Sequence, residues 1–361
     1  MPPKSQIQDK ETGVATRKEL ASLEPRHAGP PRDAAIDFTK GMLVLSMVLY
    51  HWLNYFVGPQ GQYYNYLRFL TPSFIFISGF MISRIHLSRY NNGGTRLSKR
   101  LTVRGFKLLA LVFLLNALVT FAPARFEVRL AALTTFLRNI LWALIVANPT
   151  ASVGQKGVSF SMLVPIAYLL MLSAGLVALT RRERYPFHYA LLVLVVAVVL
   201  SHSYGMVSSY LDLLMIGVLG VVIGFAERGQ IALVLNHPYV LIALYCCYLA
   251  VITIWDVTLP LQVASVILTT ALLYIAGSRK EPGGAWRRTV FLGKYSLLGY
   301  ISQIAILQGL RKVSWLSQHG VGILLVSLLL GTLLTLITTE IVDFARRRST
   351  LADGLYRLVF A

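Results

Sequence analysis

Apolar stretches of about twenty residues, the length of helix needed to cross a bilayer core, recur along the whole chain between short polar segments. The pattern predicts ten spans, at residues 34–56, 63–84, 104–121, 158–179, 187–201, 207–226, 235–255, 258–276, 289–309 and 320–345. The predicted fold class is therefore all-α, a polytopic transmembrane helical bundle. Residues 1–33 carry Pro25, Pro30 and Pro31, lack the apolar run of a signal peptide and read as a disordered tail. Residues 34–345 form the membrane domain, and 346–361 read as a C-terminal tail. Span six carries Gly217, Gly220 and Gly224, which are either a close helix-packing face or ordinary small residues in a span.

One apolar stretch departs from this pattern. Residues 128–148 carry Arg129, Arg138 and Asn139, so their apolar face covers only part of a helix. Charge arbitrates. If the stretch lies on the surface or re-enters, Arg181, Arg182 and Arg184 fall on the cytoplasmic side, as the positive-inside rule prefers. With ten spans, 25 of the 34 Lys and Arg residues then lie on that side, and both termini with them. Segments 122–157 and 310–319 lie outside, and Lys40, Arg68 and Lys294 lie within spans.

Composition agrees. Of 361 residues, 56% are hydrophobic and 14% charged, with a mean hydropathy of +0.64. A soluble fold of this size would lack the polar surface to cover its core. The net charge of +19 would suggest nucleic acid on a soluble protein, but no soluble basic domain is present to carry that role. Cys246 and Cys247 are helix neighbours that do not face each other; they read as packing residues, with no disulfide and no metal-ligand spacing.

Ionisable groups inside a span are costly and mark candidate function. Span one carries Asp37, Lys40 and His51. Lys40 and His51 are eleven residues apart, about three helical turns, so they share a face about 16 Å apart along the axis. Asp37 precedes Lys40 on the same side. A polar stripe with an acid and a cation at one end and an imidazole toward the other is the expected arrangement, against the plainer alternative of an interfacial ion pair and a satisfied histidine. After span two, Arg96, Arg100 and Arg104 recur every four residues on one helical face, with Lys99 and Lys107 beside them. Such a row suits phosphate, although a basic loop also fixes topology and attracts anionic lipid. Asp212 in span six is a candidate charge partner, with Arg68 as one choice. His202 reads as a solvated loop histidine near an acceptor, Asp256 as an interfacial cap, and Lys294 as a snorkelling side chain.

The run DFTKGMLVLSMVLYHW resembles the first span of acyltransferase 3-type integral-membrane acyltransferases, with Lys40-Gly41 and His51 at the family's Arg-Gly and His spacing. FLTPSFIFISGFMIS resembles the second-span motif through Ser78, Gly79 and Phe80. Arg100 and Arg104 resemble the basic motif that follows. LGKYSLLGYISQIAIL resembles a late motif through Gly293, Ser296 and Tyr300. Glucan succinyltransferases and glucosaminide N-acetyltransferases share a similar start. The resemblance is strongest over residues 34–110 and is carried again over 289–309.

The resemblance implies an acyl-CoA-dependent O-acyltransferase of a bacterial inner membrane, moving an acyl group from cytoplasmic acyl-CoA to a hydroxyl of an extracytoplasmic glycan, as in O-acetylation of polysaccharides. Acyl-CoA is a co-substrate; no cofactor or metal is expected. His51 is the implied general base, and Arg96, Arg100 and Arg104 hold the donor phosphates. Lys40, with Asp37, joins His51 among the implied catalytic residues by holding the CoA arm or organising the bundle entrance, and Arg68 binds acceptor or oxyanion. Ser78, Tyr300 and Gln303 are substrate contacts. Two positions depart from the family pattern. Lys40 replaces an Arg and loses its planar fork. Gln303 stands where the family has a His, and an amide does not titrate. A transporter or flippase and an inactive relative are the rival expectations.

Overall fold

The computed structural model describes residues 33–58, 63–87, 94–121, 129–145, 160–180, 184–278, 283–313 and 321–360. The predicted tail up to residue 32 lies outside them. Among the described residues every regular element is helical, and they belong to one compact unit.

Helix α1 (Ala34–Trp52) starts at Asp33, whose carboxylate accepts the Ala35 N–H at 3.0 Å, and runs into a π-helical turn at Leu53–Val57. A short α2 (Tyr63–Leu67) and α3 (Leu70–Met81) follow, with a second π turn at Ile82–Leu87. Next come α4 (Gly94–Phe121), α5 (Arg129–Ile145), α6 (Leu163–Thr180), α7 (Tyr185–Ser203) and α8 (Ser209–Gly224). The chain continues through α9 (Arg228–Leu235), α10 (Pro238–Ile254), α11 (Leu259–Gly277), α12 (Gly284–Lys294) and α13 (Ser296–Arg311). It closes with α14 (Val321–Arg348) and α15 (Thr350–Phe360).

Each predicted span coincides with a helix or a helix pair. Among the described residues, five helical stretches are long and apolar enough to cross a membrane, and seven when each of two bent pairs counts as one span. The expected span nine is one of those pairs: α12 and α13 meet at 93°. The other pair is Ser209–Gly224 with Gly229–Leu235, bent by 109°. Span three is the second half of α4, a longer helix whose first turns carry Arg96, Arg100 and Arg104. The amphipathic stretch does form a helix, α5. It packs Phe136 edge-on against Phe113 and Phe121 of α4, at 5.4 and 5.2 Å between ring centres.

Glycines set the closest crossings. A Cβ on Gly41 would lie 2.0 Å from the Thr289 carbonyl, and one on Gly293 would lie 1.7 Å from the Asp37 carbonyl. Helices α1 and α12 therefore touch backbone to backbone. On the other side, Gly217, Gly220 and Gly224 of α8 meet Ile75, Phe76, Phe80 and Ser83 from α3 and its π turn, and Gly79 faces the Gly217 carbonyl. The Gly-rich stretch is thus a packing face, of the kind that lets helices associate in lipid, where apolar burial supplies little drive. Gly105 of α4 sits in the same way against Ala167 and Met171 of α6.

Three smaller expectations change. Cys246 and Cys247 are both exposed, so they do not pack the core. The cap of α11 is Thr258 rather than Asp256. Beyond Arg346 the expected tail is the end of α14 and then a helix of its own.

Candidate functional site

Where α1 gives way to its π turn, its last residues join the starts of α3, α8 and α11 around a cavity of about 520 Å³. Its wall holds His51, Arg68, Tyr300 and Asp212, brought from four separate helices or loops. Sequence reasoning named all four residues, His51, Arg68 and Tyr300 as parts of one implied site and Asp212 only as a charge partner.

His51 is held by aromatic rings. Tyr50 meets it edge-on at 5.1 Å, Tyr55 stacks at 6.0 Å and Tyr300 tilts against it at 6.4 Å, measured between ring centres. Its Nε2 is buried and has no hydrogen-bond partner among the described residues. An imidazole nitrogen in this state is a free donor or acceptor on a cavity wall. A histidine whose only task was structural would spend that nitrogen on a protein group, since an orphaned buried polar atom costs about 1–3 kcal/mol. The π turn that follows His51 is of a type often found at functional sites.

Phe160 also lines the cavity, with its ring edge-on to Tyr300 at 6.2 Å and a backbone φ of 63°. A bulky residue in the left-handed region stores strain, and such residues cluster at active sites. Tyr64 and Tyr210 complete an aromatic wall, with Ser161, Ser209 and Gln262 between the rings. These residues escaped the sequence reading. Tyr50 and Tyr55 were detectable as the neighbours of His51 at i−1 and i+4. The others come from loop ends whose approach no local pattern encodes.

Arg68 is fixed in three ways. Its Nη1 donates to the Val257 carbonyl at 3.1 Å, its guanidinium lies 5.5 Å from the Tyr64 ring centre, and its own carbonyl accepts from the Gln262 amide at 3.3 Å. Asp212 is not its partner. The Asp212 carboxylate instead pairs with His202 Nε2 at 3.2 Å across the α7–α8 turn. His202 is therefore exposed, as expected, but also paired, at the end of α7.

The remaining candidates lie elsewhere. Asp37 and Lys40 form a 2.6 Å ion pair at the opposite end of α1. Ser78 donates to its own helix at the Phe74 carbonyl, 2.8 Å away, and does not line the cavity. Gln303 is fully buried with neither end of its amide partnered, one turn beyond Tyr300. On α4, Arg96 and Arg100 are exposed, while Arg104 is half-buried and donates to His86 Nε2 at 3.2 Å. Lys294 is exposed at the end of α12.

A second cavity, of about 360 Å³, lies at the Asp37 end of the same helices α1, α3, α8 and α11 and is also walled by α9. Its lining is mostly apolar, with Asp33, Thr39, Arg84, Gln230, Thr270 and Tyr274 as its polar members. Between the two cavities, by position along each helix, come Leu43, Phe74, Ile216 and Val266, all buried in one apolar cluster. The bundle thus has a recess at each end and a closed layer between them.

A histidine on an aromatic cavity inside a bundle of apolar helices defines the class: an integral-membrane protein with a recess among its helices. The model of the acyltransferase 3 family, described as an acyltransferase domain, matches residues 33–340, and the chain belongs to that family. It is a multi-pass membrane acyltransferase. No curated protein and no solved structure matches it.

Proposed function

We propose that the protein transfers an acyl group from acyl-CoA, bound from the cytoplasm, to a hydroxyl of a glycan presented on the other side of a bacterial inner membrane. The observation that carries this reading is the unpartnered Nε2 of His51 on the wall of the 520 Å³ cavity.

In this reading His51 Nε2 takes the proton of the acceptor hydroxyl as its oxygen attacks the thioester carbonyl carbon. The tetrahedral intermediate collapses with cleavage of the C–S bond. The thiolate leaves and recovers the proton from the imidazolium, giving free CoA and an O-acyl ester. Arg68, already immobilised, supports the oxyanion or an anionic acceptor. The tyrosine-rich wall and Gln262 suit a polyhydroxylated acceptor through many hydroxyl contacts. The donor's phosphates dock on the Arg96–Arg100–Arg104 row, where guanidinium forks match phosphate oxygens. Its thioester reaches His51 when the layer of Leu43, Phe74, Ile216 and Val266, closed in this structure, parts to admit the donor arm. Both chain ends lie on the cytoplasmic side.

The test uses the full chain in lipid nanodiscs with acyl-CoA and a panel of glycans, reading free thiol. Acceptor-dependent CoA release is expected from the wild type. His51→Ala should lose it by about 10²–10⁴-fold, the usual yield of general-base catalysis, while acyl-CoA still raises its melting temperature. A folded His51→Ala protein with full transfer would end the proposal. Absence of stabilisation by any acyl-CoA would favour transport instead.

A further inference from the structure

Helix α15 lies past the end of α14, separated from it by Ser349 alone. Since α14 is long and apolar enough to cross the bilayer, α15 begins where a span leaves it. Its eleven residues divide into three sectors. Leu351, Leu355 and Leu358 fall within about 60° of arc at 100° per residue, and they are 84%, 64% and 66% exposed. Tyr356 and Val359 turn toward the protein: Tyr356 packs on Tyr295, and Val359 on the main core. Thr350 and Arg357 occupy the third sector and are exposed.

This orientation is locked. Arg346 of α14 donates through Nε and Nη2 to the Asp353 carboxylate, at 3.0 and 2.7 Å, and through Nη1 to the Tyr295 hydroxyl at 3.0 Å. Its guanidinium lies 3.9 Å from the centre of the Tyr356 ring. The Tyr295 hydroxyl donates to Asp343, and Lys107 of α4 donates to the Arg357 carbonyl at 3.3 Å. The leucine stripe is therefore held outward by a built polar cluster and has no protein face against it among the described residues.

We infer that α15 is an interfacial helix that docks on the anionic headgroup layer of the bilayer, with Leu351, Leu355 and Leu358 in the acyl-chain boundary and Arg347, Arg348 and Arg357 on the headgroups. Two observations select a lipid surface as the occupant. The stripe is continuous with a span that already sits in lipid. The charges flanking it are basic and exposed: Arg347 and Arg357 have side chains 75% and 70% exposed, each with one edge paired at 2.7 Å, to Asp343 and Asp353, and the rest facing outward. An apolar face with Lys or Arg beside it, lying in the interface plane, is the form that binds anionic membranes. The site is independent of the transfer chemistry proposed for His51.

The experiment places single nitroxide labels at Thr350→Cys, Leu351→Cys, Leu355→Cys and Leu358→Cys in a Cys246→Ala, Cys247→Ala background. The full chain is reconstituted in phosphatidylglycerol vesicles. Oxygen, which enters lipid, should relax the three leucine positions several-fold more than a water-soluble nickel chelate does, and position 350 should show the reverse. Labels at 351, 355 and 358 open to the nickel chelate would overturn the inference. So would protection from both reagents, because protein, such as a second copy, would then cover the stripe. A parallel measurement needs no substitution: tryptic cleavage after Arg357 of the unaltered chain should slow when phosphatidylglycerol replaces phosphatidylcholine. An unchanged rate would remove the anionic component.

Discussion

Lys40 keeps the family's charge but not its fork, and the structure gives that charge a structural task. Its ammonium lies 2.6 Å from Asp37, and the two side chains are 14% and 7% exposed. Removing one partner of a shielded pair leaves an uncompensated charge, at a cost of about 3–5 kcal/mol. Lys40→Ala should therefore lower the melting temperature sharply, Lys40→Arg should not, and Asp37→Asn with Lys40→Met should recover most of the loss. A Lys40→Ala protein of unchanged melting temperature that has lost transfer would instead make Lys40 a reaction residue. Gln303 makes the opposite case. Its amide is buried and unpartnered among the described residues and, unlike His51, does not line the cavity, so its desolvation is uncompensated. Gln303→Met should hold or raise thermal stability, by up to about 2 kcal/mol, and leave CoA release intact. Lost activity at full stability would return Gln303 to the site.

Helix contacts explain why the family-like motifs contain glycine. The Lys40-Gly41 pair and the Leu292-Gly293 pair are one crossing seen from its two sides, since each glycine faces the other helix's backbone. Gly293→Ala should cost at least about 1–3 kcal/mol, as overpacking does. Gly309→Ala, where a Cβ meets open space, should be neutral or stabilising by up to about 1 kcal/mol. Unfolding in detergent separates the two; equal effects would remove the crossing as the reason for the glycine. The α14–α15 contact responds to acid. A hydrogen bond from Arg346 holds the Asp353 carboxyl below its usual range. Its stabilising contribution is present above the unfolded value of about 3.9 and is lost as pH falls through the lower folded value. A nitroxide on Thr350→Cys should stay immobile from neutral pH down to about pH 4 and loosen below it. Arg346→Gln should loosen it at neutral pH.

At the scale of the molecule, two recesses at opposite ends of α1, α3, α8 and α11 are separated by a buried apolar layer. If donor and acceptor enter from opposite sides, proteoliposomes should release CoA only when acyl-CoA faces the Arg96–Arg104 end and the glycan faces the His51 end. Release with both substrates on one side of sealed vesicles would refute the crossing route.

Much of this was legible along the chain because a bilayer imposes a length and a polarity on every span. The sequence alone determined the all-α membrane class, the approximate place of the apolar helices, and the shared helical face of Lys40 and His51. It also marked His51, Arg68, Asp212 and Tyr300 as costly or patterned residues. Tertiary structure decided what those residues meet. Asp212 turned to His202 instead of Arg68 because the α7–α8 turn brings the two together. The predicted span nine broke at Tyr295, where α12 is drawn against α1 by Gly41 and Gly293. The aromatic cage of His51 joined its neighbour Tyr55 to Tyr300, a residue more than two hundred positions away along the chain. Periodicity reports which face of a helix is apolar. It does not report which helix will cover that face, because that choice is made by the close approach of backbones, and only the folded bundle displays it.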